Sequence, residues 1–136
     1  MKREIILMLI LLLPPVPLFA SEQIVFTGVP RIKVSEGGVE RTSEQVSDQK
    51  AKQLKCTITE MDGKYYWTTR DNLELIRVQS GAYSTFFATN GAGYVRVIDP
   101  NKKDVASLAG NTEAEFDYVE HMLLGLRSVT YYGDSK

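Results

Sequence analysis

Residues 54–98 read LKCTITEMDGKYYWTTRDNLELIRVQSGAYSTFFATNGAGYVRVI, and three turn dipeptides divide this stretch: Asp62-Gly63, Ser80-Gly81 and Asn90-Gly91. The runs between the dipeptides are rich in Thr, Tyr, Phe, Val and Ile, which suit a pleated, half-buried surface. Asp-Gly and Asn-Gly supply the positive φ angles that a two-residue hairpin turn requires. The stretch therefore predicts an antiparallel β-meander.

The Asp62-Gly63 turn fixes the register of the first hairpin, because it places Met61 opposite Lys64 and Ile58 opposite Trp67. One face then carries the mostly apolar side chains of Leu54, Cys56, Ile58, Tyr65 and Trp67. The opposite face carries the mostly polar side chains of Lys55, Thr57, Thr59, Lys64, Tyr66 and Thr68. Cys56 is the only cysteine of the chain, which excludes an intramolecular disulfide, and its place on the apolar face predicts a buried thiol.

The same reasoning predicts three further strands between residues 73 and 98. A turn at Ser80-Gly81 places Val78 opposite Tyr83, and a turn at Asn90-Gly91 places Phe86 opposite Val95. One face of this piece holds Leu73, Leu75, Phe86, Ala88, Val95 and Val97. The other face holds Ile76, Val78, Tyr83, Thr85, Phe87, Tyr94, Arg96 and Ile98. Both faces carry enough apolar surface to need cover, and a single packed helix can cover only one of them.

Residues 112–128 predict an amphipathic helix. Thr112 and Glu115 have the spacing of a capping box. Apolar residues then recur at intervals of three and four, as Phe116, Val119, Met122, Leu123 and Leu126. The predicted fold class is therefore α+β, an antiparallel β-meander of about five strands with one C-terminal amphipathic helix packed on the sheet.

Three segments organise the chain in this interpretation. Residues 1–20 have a basic start, an apolar run and a small residue at Ala20, the layout of a cleaved signal peptide. Residues 21–53 form an N-terminal segment. Its part from 24 to 34 predicts an edge strand or a bent arm because Pro30 cannot donate to a ladder. Its part from 35 to 53 predicts either a mobile polar linker or a short helix capped by Thr42 or Ser43. Residues 54–136 form the α+β domain.

The charge balance limits the classes of partner. Sixteen Lys and Arg residues against seventeen Asp and Glu residues give a formal net charge of −1. No basic run stands out, so nucleic acid is not an expected partner. The signal peptide predicts a periplasmic or secreted protein that keeps no stable membrane anchor after cleavage. A protein partner or self-association is the expected kind of interaction.

The pieces DGKYYWTTRDN, LIRVQSGAY and FDYVEHMLLGLRSVTYYG carry a resemblance. Together they cover about residues 54–133, and they resemble small exported proteins of Gram-negative bacteria with no assigned function. This resemblance implies a compartment outside the cytoplasm. It implies no catalytic residue.

The candidate sites follow from few residues. His121 is the only histidine, and Asp117 lies one helical turn before it, which would suit a small hydrolase-like enzyme. The residues give no metal site and no cofactor. Tyr83, Phe87, Tyr94 and Arg96 share one face of the meander, either as ordinary core or as a surface for a ligand or partner. The expected function is a non-enzymatic binding or protein-interaction module, with the hydrolase-like enzyme or a structural, stress-related envelope component as alternatives.

Overall fold

The computed structural model describes residues 21–103 and 115–136. The predicted signal peptide, residues 1–20, lies outside the described residues. The first residues of the predicted helix, 112–114, lie outside them as well.

The described residues form an antiparallel β-barrel with one extra strand. Each strand pairs with its neighbour in the order β2-β1-β3-β4-β5-β6-β7-β8-β9, and an additional pairing of β1 with β9 closes eight of the strands into a ring. A short helix, α1, spans Asp48–Gln53, and a 3₁₀ turn spans Pro100–Lys102. The strands are β1 Gln23–Gly37, β2 Glu40–Gln45, β3 Cys56–Met61, β4 Lys64–Trp67, β5 Leu73–Ser80, β6 Tyr83–Ala88, β7 Gly93–Ile98, β8 Tyr118–Leu124 and β9 Arg127–Ser135.

The long strand β1 closes the barrel. Its first part pairs with β3, and its part from Gly28 to Gly37 pairs with β9. The β1–β9 register shifts between Pro30 and Ile32, where a residue without an N–H group is tolerated. The prediction of an edge strand or bent arm was therefore wrong, because from Ile32 to Gly37 strand β1 pairs with β2 on one side and with β9 on the other.

The meander itself is confirmed. Ile58 lies opposite Trp67, and Phe86 lies opposite Val95, as the turn dipeptides predict. The turn between β5 and β6 differs by one position, because Ser80 pairs with Tyr83 and the two turn residues are Gly81 and Ala82. This shift moves Val78 opposite Thr85 and leaves every side chain on its predicted face, since the partner changes by two residues.

The α+β fold class was wrong. Residues 118–135 form a hairpin of two strands, β8 and β9, instead of a C-terminal helix. Gly125, with φ of 66°, and Leu126 make the turn between Leu124 and Arg127. A short apolar run fits a helical and a strand period about equally well. The unpaired edges of β7 and β1 supply partners for two more strands, and this tertiary pairing overrides the helical spacing.

Residues 35–53 form neither a mobile linker nor a helix capped by Thr42 or Ser43, because strand β2 precedes a helix that begins at Asp48. Thr42 and Ser43, the predicted caps, lie within β2 and pair with Ser35 and Val34 of β1. Ser47 is the N-cap of α1, and its hydroxyl accepts a hydrogen bond from the amide of Lys50. The helix ends at Gln53, as the helical alternative expects.

Closure of the barrel explains how a meander with two apolar faces is covered. The curved sheet turns the face with Leu75, Phe86, Ala88 and Val95 towards the interior, where these side chains are buried. Cys56, Ile58 and Trp67 are fully buried in the same core, which confirms the apolar face predicted for the first hairpin. The interior is thus filled by side chains, as expected for a barrel of about eight strands.

Candidate functional site

A buried carboxylate is the unusual feature of the barrel interior. Strand β8 alternates, so that Tyr118, Glu120 and Met122 project inward and are buried. Only 4% of the surface of Glu120 is exposed. Carboxylates are almost never buried to this degree unless other groups compensate for the lost water.

Two side chains from other strands supply hydrogen bonds to Glu120. The indole Nε1 of Trp67, at the end of β4, donates to Oε2 of Glu120 over 2.9 Å. The thiol of Cys56, at the start of β3, is a second side-chain hydrogen-bonding partner of the carboxylate. Both of these donors are neutral, so their hydrogen bonds solvate the carboxylate with dipoles and supply no opposite charge.

Burial governs the ionisation of this cluster. It raises the pKa of Glu120, against the opposing effects of the Cys56 and Trp67 hydrogen bonds and of the positive charge of Arg70. Burial also raises the pKa of the Cys56 thiol well above its ordinary value, and the charge of Glu120 adds to this effect. A thiol in such surroundings stays protonated and is a weak nucleophile.

The carboxylate faces a cavity that opens at one end of the barrel. The cavity has a volume of about 200 Å³. Thr69 and Arg70 place a hydroxyl and a guanidinium at its rim, Lys55 also lines it, and Leu54, Met122 and Tyr131 supply apolar surface. The Arg70 guanidinium lies 5.8 Å from the ring centroid of Trp67. Gln53 and Glu120 complete the lining. We call this cavity the Glu120 opening.

A neighbouring cavity widens the Glu120 opening along helix α1. It has a volume of about 280 Å³ and shares Gln53, Leu54 and Tyr131 with it. Lys33, Glu44 and Lys50 also line this neighbour. Lys50 and Gln53 of helix α1 therefore line the space beside the Glu120 opening.

The other end of the barrel has different chemistry. A cavity of about 210 Å³ there contains Glu60, Tyr65, Arg77 and Ser84. The Arg77 guanidinium donates to the Tyr65 hydroxyl over 3.4 Å and to Ser84 Oγ over 3.3 Å. Its cation is thus engaged by neighbouring side chains, and Glu60 is only partly buried.

The four residues predicted as a binding surface lie together on the outside of β6 and β7. The Tyr94 ring lies 6.0 Å from that of Phe87 and stacks on His121 of β8 at 5.2 Å. The Arg96 guanidinium lies 5.5 Å from the Tyr94 ring and 5.8 Å from the Tyr83 ring. We call this group the outer aromatic strip: Tyr83, Phe87, Tyr94, Arg96 and His121.

The outer aromatic strip is partly open to solvent. Phe87 is 42% exposed, and the neighbouring Ile76 is 58% exposed. Tyr83 and Tyr94 are half-buried. The described residues of the predicted covering helix belong mainly to strand β8, which lies beside β7 in the sheet. They therefore do not pack as a helix over these rings.

The structure separates the two residues of the hydrolase-like alternative. Asp117 binds Lys103 Nζ over 2.8 Å and accepts a hydrogen bond from the Ser135 amide over 2.9 Å. His121 Nδ1 lies 2.9 Å from Thr130 Oγ1. Four residues along a strand span about 13 Å, so Asp117 does not orient His121. The described residues hold no group of three or more potential metal ligands.

Sequence reasoning missed Glu120 because the helical interpretation placed it on a solvated face. A period of two gives Tyr118, Glu120 and Met122 one face, and the Gly125-Leu126 pair marks a turn before Arg127. These two features together would have indicated an inward-facing carboxylate. Arg70 carries no comparable sequence feature, because it lies in the turns between β4 and β5.

No helix in the described parts of the chain is long and apolar enough to cross a membrane. Comparison with known protein families, with curated proteins and with solved structures gives no match to this chain.

Proposed function

We propose that this chain is a non-enzymatic binding protein of the periplasm or the secreted fraction, and that it holds a small ligand at the Glu120 opening. One observation carries the proposal: the carboxylate of Glu120 is buried inside the barrel and faces a cavity that reaches the surface. The opening combines apolar surface with a few charged and hydroxyl groups, and such converging polar groups fix the orientation of a ligand in a small-molecule site.

The cost of Glu120 to the fold supports a functional role. A buried carboxylate without a paired cation is destabilising, and a neutral residue could accept the Trp67 hydrogen bond without that penalty. Perturbed ionisable groups in clefts are enriched at functional sites. The chemistry at the opening is suited to recognition, because the Cys56 thiol is held protonated and His121 lies on the outer surface.

The proposal is tested with Trp67, which is the only tryptophan of the chain. Its Nε1–H group donates to Glu120, so its cross-peak in a ¹H–¹⁵N spectrum reports on this one site. The mature protein is titrated with a panel of amines, carboxylates, amino acids, sugars and phosphate esters. At least one class should shift the Trp67 cross-peak saturably, and Glu120→Gln should abolish or strongly weaken that shift.

Glu60→Gln is the matched control, because Glu60 is a carboxylate at the other end of the barrel. This variant should bind as the unmodified protein does. A Trp67 cross-peak that no compound in the panel moves would overturn the proposal. So would equal binding by Glu120→Gln.

A second candidate function rests on the outer aromatic strip. Phe87 and Ile76 expose apolar surface on the strip side of the barrel, and Arg96 lies between two tyrosine rings. We propose a second copy of this chain as the occupant. A surface that holds both aromatic rings and a guanidinium can complement itself across a twofold axis.

Replacing Phe87 and Tyr94 together with Ser tests this second function. The double variant should keep its melting temperature nearly unchanged and should sediment as a monomer at concentrations where the unmodified protein dimerises. Leu124 and Leu126, exposed at the β8–β9 turn, provide the control pair, and their replacement with Ser should leave dimerisation intact. An unmodified protein that stays monomeric, or a double variant that unfolds, would refute the idea.

Export is the remaining part of the proposal, and it rests on the layout of residues 1–20. N-terminal sequencing of protein from fractionated cells should find Ser21 as the first residue, outside the cytoplasm. Protein that starts at Met1 in the soluble cytoplasmic fraction would contradict it.

A further inference from the structure

Opposite charges at the Glu120 opening are arranged in depth. The floor is the carboxylate of Glu120, a residue of which only 4% is exposed. The rim carries the cation of Arg70, which is only partly buried. The adjoining cavity adds Lys50 and also Lys33, which forms an ion pair with Glu44 over 3.7 Å. A molecule that enters therefore passes a positively charged rim before it meets a single negative floor.

We infer that the Glu120 opening selects small zwitterions of the amino-acid class, with the ammonium group at Glu120 and the carboxylate group at the rim. This inference rests on the proposed function, and it names the kind of ligand that the same site takes.

The floor suits an ammonium group. Glu120 Oε2 already accepts from Trp67, and the remaining acceptor capacity of the carboxylate can take charged N–H donors. Hydrogen bonds between two charged groups in a site of low dielectric are stronger than those between neutral groups.

The rim suits a carboxylate group. Arg70 presents a planar guanidinium that can bind a carboxylate through two parallel hydrogen bonds. Arg70 lies over the Trp67 ring, and the edge of the same indole donates to Glu120. One side chain thus separates the negative floor from the positive rim, so the two charges of a small zwitterion meet opposite charges at a short separation.

Ligands with a single charge fit less well. A simple amine reaches the floor but must pass Arg70, whose like charge repels it. A simple carboxylate satisfies the rim but leaves Glu120 without a cationic partner. Leu54 and Met122 supply the apolar wall of the opening, which favours an aliphatic side chain on the ligand. Leucine is therefore the natural first probe among the free amino acids.

The experiment compares leucine with two analogues that each lack one charge. The probes are L-leucine, 4-methylpentanoate, which has lost the amine, and 3-methylbutylamine, which has lost the carboxylate. Affinities are measured by calorimetry and by the Trp67 Nε1–H cross-peak, together with the other free L-amino acids. Each analogue should bind about tenfold to a hundredfold more weakly than leucine, the usual loss for one charged hydrogen-bonding partner.

Two variants assign the two ends. Glu120→Gln should lower the affinity for leucine by about tenfold or more while leaving that for 4-methylpentanoate unchanged. Arg70→Gln should do the reverse. It should lower the affinity for 4-methylpentanoate and should not lower the affinity for 3-methylbutylamine. Glu60→Gln should bind all three probes as the unmodified protein does. Because Arg70 lies at the rim, its variant keeps the test decisive even if Glu120→Gln does not fold.

The failure of this inference is distinct from that of the proposed function. Binding of either analogue as tightly as leucine would overturn the zwitterion assignment. So would a screen in which another class of compound moves the Trp67 cross-peak and no amino acid does. In both cases the opening remains a binding site. If no compound moves the Trp67 cross-peak, the proposed function is refuted as well.

Discussion

Trp67 and Glu120 hold opposite walls of the barrel together. They lie 53 positions apart in the sequence, and the indole of one donates to the carboxylate of the other over 2.9 Å. Strand β4 and strand β8 are four strands apart in a ring of eight, so this hydrogen bond crosses the interior. It links the packing of the core to the only buried carboxylate of the described residues.

The stability of the protein should depend on pH through Glu120. Burial raises its pKa in the folded state, so its favourable contribution is present below the unfolded-state pKa of about 4.3 and is lost as pH rises through the folded-state pKa. Glu120→Gln removes this loss. The variant should melt at a higher temperature than the unmodified protein at neutral pH, by the equivalent of about 1 kcal/mol or more.

Thermal melts across a pH series check this expectation. The advantage of Glu120→Gln should shrink towards acid pH, where Glu120 is protonated in both states. Glu60→Gln serves as the comparison and should show no such trend. A stability advantage of Glu120→Gln over the unmodified protein that grows towards acid pH would contradict the argument.

Trp67→Ala should destabilise the fold by about 3–5 kcal/mol, as large-to-small changes in a core do. That is a large share of the about 5–15 kcal/mol that stabilises a domain of this kind. Chemical denaturation measures it, and Trp67→Phe, which keeps most of the buried volume, should cost less. Equal losses from the two replacements would show that volume is not what the core loses.

Cys56 should react slowly with a thiol reagent in the native protein. Its side chain has no exposed surface, and burial raises the pKa of the thiol, which keeps the reactive thiolate scarce. Labelling followed by mass spectrometry should show fast reaction only after denaturant is added. Fast labelling of the native protein would mean that the start of β3 is open.

Gly133→Ala should open the closing seam between β1 and β9. A Cβ atom at this position would lie 2.7 Å from Pro30 Cα and closer still to the Val29 carbonyl oxygen, both of them backbone atoms of β1. Overpacking of this kind costs at least about 1–3 kcal/mol. The melting temperature should fall accordingly.

Gly37→Ala is the matched control on the same seam. A Cβ atom there meets the flexible side chain of Arg127, at 3.0 Å from Cγ, and the side chain can move aside. A Gly37→Ala variant that loses as much stability as Gly133→Ala would show that the backbone contact is not the cause.

Asp117→Asn should lower stability at neutral pH by at most about 1 kcal/mol, since the side chain is partly exposed. Burial tends to raise the pKa of Asp117, but the hydrogen bonds and charge of Lys103 and the hydrogen bonds from Ser135 outweigh it and hold the pKa below its usual range. A lowered pKa contributes stability above the unfolded-state value of about 3.9 and loses it as pH falls through the folded-state pKa.

Melts of Asp117→Asn and the unmodified protein should therefore converge at low pH. Glu74→Gln is the comparison, because Glu74 makes a longer and more exposed ion pair with Lys64 and should change little at any pH. A difference for Asp117→Asn that persists unchanged into acid would contradict the assignment.

The sequence carries the local part of this fold. Asp62-Gly63 and Asn90-Gly91 fix hairpin registers within a few residues, and the faces of β3 to β7 follow from them. The pairing of β1 with β9 has no such marker, because its partners lie at distant positions and Pro30 argues against a paired strand. Without that pairing, an open sheet with a covering helix is the simplest solution for two apolar faces.

The candidate site at Glu120 also depends on the β1–β9 pairing that closes the barrel. The part of the outer aromatic strip on β6 and β7 could be assembled from register alone, since Phe87 pairs with Tyr94 across one hairpin. Glu120 could not, because its inward orientation requires β8 to be a strand, and the spacing from Phe116 to Leu126 fits a helix as well. Its contact with Trp67 requires a closed ring in addition, which is a property of the whole chain.

The closing strand pair has a consequence for how the protein folds. The hairpins from β3 to β7 join neighbouring segments and can form early, but the β1–β9 ladder joins Gly28 to Ser135 and Gly37 to Arg127. Such long-range pairing loses the conformational entropy of a long loop before its own contacts add stability, so it is expected to be slow. Until it forms, β1 and β9 present two free hydrogen-bonding edges. The moment of greatest risk of aggregation is therefore the interval between folding of the meander and closure of the ring.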